Sequence, residues 1–193
     1  MGPPTRSALQ TPEQGGIRTD TKEISLAAVI AALYAALVIV LAPVSFGPIQ
    51  LRIADCLIPL AAVLGWPAVL GVSLGAFIGN AYFIHFTGPI DVVFGALANL
   101  VAAAMIFRLR RRLLPACVAG SFAIGIVVGG YLWIYFPPPD IMGLSLPIWL
   151  AMMVSITLSS LVAVAGVGYL LVRALSSSGF REILESRGLK TYF

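Results

Sequence analysis

Charge is what this chain has least of. Only 10% of its 193 residues are Asp, Glu, Lys or Arg, 60% are hydrophobic, and the mean hydropathy is +1.00. A soluble domain carries roughly 25–35% charged residues on its surface, so a soluble domain is excluded. Lysine occurs only as Lys22 and Lys190, and histidine only as His85. No G-x-x-x-x-G-K-[ST] loop is present, so ATP hydrolysis by that route is excluded. One histidine and two cysteines provide no cluster with metal-ligand spacing, and neither metal nor cofactor is expected. Cys56 and Cys117 fall near opposite faces of the expected fold, so no disulfide is expected.

What is abundant is uninterrupted apolar sequence. The windows 24–51, 56–84, 92–107, 113–139 and 141–172 contain no Asp, Glu, Lys or Arg. Each is near or above the roughly 20 residues that cross hydrocarbon as helix. Residues 56–84 as one helix would run about 43 Å, too long for a core of about 30 Å. Gly65-Trp66-Pro67 supplies a break there, since proline disfavours helix in the residue before it. The expected fold is an all-α membrane protein with six spans, at about 24–42, 52–64, 67–84, 89–108, 113–136 and 145–172. Residues 1–23 are polar and lack the core of a signal peptide, and read as a disordered cytoplasmic tail. Residues 24–173 form the membrane domain, and 174–193 a second cytoplasmic tail.

Basic residues orient these spans. Arg6, Arg18 and Lys22 precede the first, Arg108 and Arg110–Arg112 separate two later ones, and Arg173, Arg181, Arg187 and Lys190 follow the last. The positive-inside rule makes all three segments, and so both termini, cytoplasmic. The net charge of +4 therefore reflects orientation and does not call for nucleic acid. Only Arg52 is left for the outer side, where Asp55, His85, Asp91 and Asp140 also gather.

The segment from Phe46 through Gln50 and Arg52 to Asp55 is the most informative. It puts ionisable groups at the edge of the membrane, where they are costly and face a cavity, a partner or a substrate. Arg52 and Asp55, three apart, either pair with each other or hold a ligand. Asp91 follows Pro89 and either caps a helix start or meets the ligand. Asn80 and Asn99 lie within spans, where amides need partners, in the site or between helices. His85 ends a helix at the interface and reads as a solvated residue.

Two small-residue patterns read as packing. Gly71-Val-Ser73-Leu-Gly75 matches the G-x-S-x-G of serine hydrolases, but that elbow needs a strand-to-helix turn and this one sits within a helix. With Gly79 it forms a small-xxx-small face instead. Ala27, Ala28, Ala31, Ala32, Ala35 and Ala36 form a smooth alanine surface on the first span, for packing within the fold or for a partner's helices.

The runs Ala28-Val-Ile-Ala-Ala32-Leu-Tyr34 and Leu41-Ala-Pro43 through Asp55 resemble the queuosine-precursor transporter (QueT) family. The likeness continues through Gly71–Asn80 and Asp91–Asn99. One departure lies at Arg52-Ile-Ala-Asp55-Cys56-Leu57, where the family commonly has an Arg-x-Ser-Glu-Ala-Leu-like run. Asp keeps the carboxylate but is one methylene shorter. The resemblance implies a substrate-binding S component of an energy-coupling-factor transporter, in a prokaryotic plasma membrane. It implies partners as well: a transmembrane coupling subunit and two ATPase subunits, met through an Ala-xxx-Ala face for which Ala28 and Ala32 fit best. The implied solute is a 7-deazaguanine, held by residues from Phe46, Gln50, Arg52, Asp55, Asn80, Asp91 and Asn99. Phe46, Tyr82 or Trp133 could stack on the base, and Asp91 could meet an aminomethyl cation. The alternative is a stand-alone secondary transporter or channel, although no inverted repeat is evident. A catalytic pair is lacking, so no enzyme is expected.

Overall fold

The computed structural model describes residues 21–45, 51–137, 146–176, 178–186 and 188–192. Phe46, Gln50 and Asp140 lie outside the described residues. Among those described, regular structure is helical throughout: α1 (Thr21–Val40), α2 (Ala42–Ser45), a 3₁₀ helix (Ile53–Leu60) running into α3 (Ala61–Leu64), α4 (Trp66–Tyr82) and α5 (Ile84–Arg108). A 3₁₀ turn (Arg110–Arg112) leads into α6 (Leu113–Leu132). Then come α7 (Ile148–Ser160), a π-helical stretch (Leu161–Gly168), α8 (Tyr169–Leu175) and α9 (Ser178–Ser186).

Among the described residues, four helical segments are long and apolar enough to cross a membrane: Thr21–Val40, Ile84–Arg108, Arg110–Leu132 and Ile148–Leu175. Ile53–Leu64 is shorter, and α4 has 17 residues. The break between those two falls at Gly65, whose φ of 67° and ψ of −143° suit only glycine at low cost. The segment before it is mainly 3₁₀ rather than the expected α-helix. Pro59 inside it has no N–H to donate to a carbonyl one turn back, which removes an α-helical bond at that point. A second break, expected at Thr87-Gly-Pro89, appears as a kink at Gly88, with φ 75°. His85 accordingly stands exposed in the first turn of α5 rather than at the end of the preceding helix.

The outside of the bundle is apolar. Val29, Leu33, Leu70, Leu74, Phe77, Phe94, Leu97, Val101, Phe122, Ile126, Leu158 and Leu170 are all exposed. Helices apolar all round belong in lipid. Inside, α1 packs on α4, α4 on α5, α5 on α6 and α6 on α7, with the short helix 53–64 in the middle touching α1, α4, α5 and the π stretch. Ala54 to Leu64 are buried without exception.

Small residues make these contacts close. A Cβ on Gly71 would stand 2.8 Å from the Ala27 carbonyl oxygen, and one on Gly75 would stand 2.7 Å from both the Ala31 carbonyl oxygen and the Tyr34 Cβ. One on Gly79 would meet Val38 at 3.0 Å. Ser73 lies within α4 and donates to the Val69 carbonyl. The glycine stripe is thus the bed of α1, as the spacing predicts. The alanines of α1 do not form one face, however. Ala31 and Ala35 turn inward with Ile30, Tyr34 and Val38, whereas Ala28, Ala32 and Ala36 are exposed. The two sets are one residue out of phase, a rotation of about 100° on a helix. Packing therefore uses one set and leaves the other free.

Candidate functional site

Two polar clusters sit in this apolar interior, joined by residues 52–55. In the first, the Tyr34 hydroxyl of α1 donates to Asp55 Oδ1. Asn99 Nδ2 of α5 donates to the same hydroxyl at 2.7 Å. In the second, Arg52 Nη2 donates to Asp91 Oδ2 at 2.9 Å, and the Tyr131 hydroxyl of α6 donates to Asp91 Oδ1 at 2.7 Å. Asn80 Nδ2 of α4 donates to the Asp91 backbone carbonyl at 2.9 Å. Asp55, Asp91, Asn80 and Asn99 are each at most 2% exposed.

Local sequence explains the placement. Asp55 lies in the first turn of the 3₁₀ helix, so its carboxylate points out of a segment whose other residues are apolar. Asp91 lies in the first turn after the Gly88 kink, and Gly95 one turn later makes room for it. A Cβ on Gly95 would stand 2.6 Å from Asn80 Nδ2 and 3.0 Å from Asp91 Oδ1. Asn80 Oδ1 has no hydrogen-bond partner and is buried, as is Ser45 Oγ. Buried charges require partners because desolvation costs several kcal/mol per ion, and here each acid receives at least one donor.

Arg52, Asp55, Ile124, Val128, Ile156, Ser159 and Ser160 line a narrow cleft with a cavity volume of only about 10 Å³. One wall is the polar 52–55 segment. The opposite wall comes from α6 and α7, which approach closely because Gly129 lies 2.5 Å, measured from a Cβ position, from the Met153 Cα. The π-helical stretch begins directly after Ser160. Such wide turns inside α-helices recur at functional sites. Ser160 is further tied down, since its carbonyl accepts from Ser121 Oγ at 3.0 Å.

Several expectations need correction. Arg52 spends a bond on Asp91, 39 residues away, so it is not reserved for its neighbour Asp55. Asp91 is no simple helix cap, since both of its carboxylate oxygens serve residues from other elements. Asn80 and Asn99 both bridge helices, and each does so next to an acid. Tyr82 and Trp133 are exposed at 66% and 41% and line no part of the cleft. Cys56 and Cys117 are free, in keeping with the expectation of no disulfide between them, and both are buried.

Four residues escaped the sequence reading: Tyr34, Tyr131, Ser159 and Ser160. Tyr34 had a signal, being a phenol on an alanine helix at membrane depth, where a hydroxyl must find a partner. Tyr131, beside Gly129-Gly130, had the same signal. The two serines had none.

A helix bundle with a lipid-facing exterior and paired ionisable groups at its centre is a multi-pass membrane protein. The chain belongs to the QueT transporter family, whose model matches residues 24–177. It is similar to the "Queuosine precursor transporter QueT" of Lactococcus lactis subsp. cremoris (strain MG1363), being 35% identical over 86 residues. That match covers 44% of this chain and 48% of the relative, so the chain spans about half the length of the curated relative it matches. No solved structure matches it. The chain is therefore a transporter-family protein of the cell membrane.

Proposed function

We propose that this chain is the solute-binding subunit of an energy-coupling-factor importer, and that its solute is a queuosine precursor or a related 7-deazaguanine. On this reading it crosses the membrane six times, with both ends in the cytoplasm. The observation that carries the proposal is the cleft in which Arg52 and Asp55 face Ser159 and Ser160 within an apolar core. The substrate in the relative's name and the resemblance of the 41–55 segment supply the solute class.

Asp55 is the acid that reads the base. A 7-deazaguanine offers N1–H and an exocyclic amino group side by side, and a carboxylate has acceptor sites for both. Tyr34 and Asn99 hold Asp55 in position, and Asp91 with Tyr131 holds Arg52. Asn80 Oδ1 is a buried acceptor for a solute N–H. Phe46 and Gln50 lie outside the described residues and are assigned to the solute by the resemblance alone. Ile124, Val128 and Ile156 cover the faces of the ring. The cleft is below the roughly 300–1,000 Å³ of ligand pockets, so solute access requires the α6–α7 wall to move away from residues 52–55.

The exposed Ala28 and Ala32 on α1 form the face that docks on the coupling subunit, which in turn joins two ATPases. The chain has no nucleotide loop of its own, which fits an importer powered by partners.

Calorimetric titration with queuine and its two smaller 7-deazaguanine precursors, with guanine as control, tests the solute. Tight one-to-one binding is expected, and Asp55→Asn should weaken it by roughly 10- to 100-fold, the worth of hydrogen bonds to a charged group. Unchanged affinity in that variant would remove Asp55 from the site, and no binding to any compound would discard the solute class. Co-purification of ATPase subunits tests the coupling, and Ala28→Trp should abolish it. Uptake by vesicles holding this chain alone would instead establish a stand-alone carrier.

A further inference from the structure

The junction of α5 and α6 carries Arg108, Arg110, Arg111 and Arg112, and the structure sorts them into two groups. Arg110 turns inward. Its Nη1 donates to the Phe107 carbonyl at 3.0 Å, and its guanidinium lies over the rings of Phe107 and Tyr192, at 4.8 and 5.3 Å from their centroids. Arg108, Arg111 and Arg112 are exposed and have no hydrogen-bond or ion-pair partner among the described residues.

These three border a groove of about 280 Å³, open to solvent, whose other walls are Leu109, Pro115 and Ala116. Leu109 is 51% exposed beside three arginines. A soluble anion has no use for that apolar surface, and an acyl chain has no use for the guanidiniums. An amphiphile with an anionic head uses both. The groove lies where two membrane-length helices end and begin, at the level where hydrocarbon gives way to headgroups.

We propose that this groove is a binding site for an anionic phospholipid. Its phosphodiester is held by Arg108, Arg111 and Arg112, and its acyl chain lies along Leu109 and Pro115. Guanidinium forks bind phosphate oxygens in pairs, which lysine cannot reproduce, and basic pockets between membrane helices take such headgroups. The site is separate from the cleft and does not depend on which solute the cleft takes.

The test is native mass spectrometry of the detergent-purified full chain, offered phosphatidylglycerol and phosphatidylcholine at equal concentration. Wild type should retain phosphatidylglycerol in preference. The R108Q/R111Q/R112Q variant should lose that preference by roughly 100-fold, the worth of charge-assisted hydrogen bonds from the guanidinium forks. The R108K/R111K/R112K variant keeps every charge and should also lose most of it. It carries the test alone if the glutamine variant fails to fold. Wild-type retention by the lysine variant would reduce the effect to diffuse attraction and overturn the site. Equal retention of both lipids by wild type would overturn it too. Displacement of the lipid by inorganic phosphate or glycerol phosphate would make this a phosphate site and overturn the lipid assignment.

Discussion

The α1–α4 seam and the polar centre are both buried, both involve α1, and solve opposite problems. At the seam the helices approach by removing side chains: Gly71, Gly75 and Gly79 receive Ile30, Tyr34 and Val38. At the centre, polar side chains are retained and every acid is matched with donors from distant elements. Tyr34 belongs to both regions. Its Cβ rests on Gly75 while its hydroxyl reaches Asp55. Closeness at the seam therefore sets the position of a donor at the site. In lipid, where water drives no helix together, packing and paired polar groups are what remain to hold a bundle.

Substitutions can break this division. The largest effect is expected from the inward face of α1: Ala31→Trp, facing the backbone of α4, should abolish folding, whereas Ala28→Trp on the exposed face should leave the melting temperature of the purified protein nearly unchanged. Equal damage from the two would erase the distinction between the faces. Next comes Asp91→Ala, which removes the acid that Arg52 pairs with and the acceptor of the Tyr131 hydroxyl. Breaking a buried ion pair costs about 3–5 kcal/mol, and thermal unfolding in detergent should report most of it. Gly75→Ala, whose added Cβ meets backbone and Tyr34, should cost about 1–3 kcal/mol by overpacking; the same assay reads it, and stability at the wild-type level would mean that the seam can open. The smallest effect is expected from Tyr131→Phe. Hydrogen bonds between membrane helices average about 0.6 kcal/mol and reach about 1.7. A loss several times larger would mean that Tyr131 supports Arg52 as well as Asp91.

The fold was legible where composition had one physical meaning. The break at Gly65, the kink before Pro89 and the glycine stripe on α4 all follow from chain length, proline sterics and the lack of a Cβ. The alanine run was not, because both sets of alanines have the same chemistry and only the neighbour decides which is covered. At the site, Arg52, Asp55, Asn80, Asp91 and Asn99 stood out as polar residues in an apolar chain. Which acid each donor would choose was not readable, since Arg52 had an acid three residues away and bonds one 39 residues away. Ser159 and Ser160 carried no signal, because a serine in a membrane helix satisfies itself on its own backbone as readily as it lines a cleft.

The sequence by itself determined that this is a helical membrane protein, because hydropathy and the spacing of breakers are local properties, and its motifs carry the resemblance to the QueT transporter family. Only the tertiary structure decided that Asp55 lies against a cleft while Asp91 serves Arg52 and Tyr131. That choice depends on distances between helices far apart in the chain, and those distances follow from how closely glycine and alanine let the backbones approach.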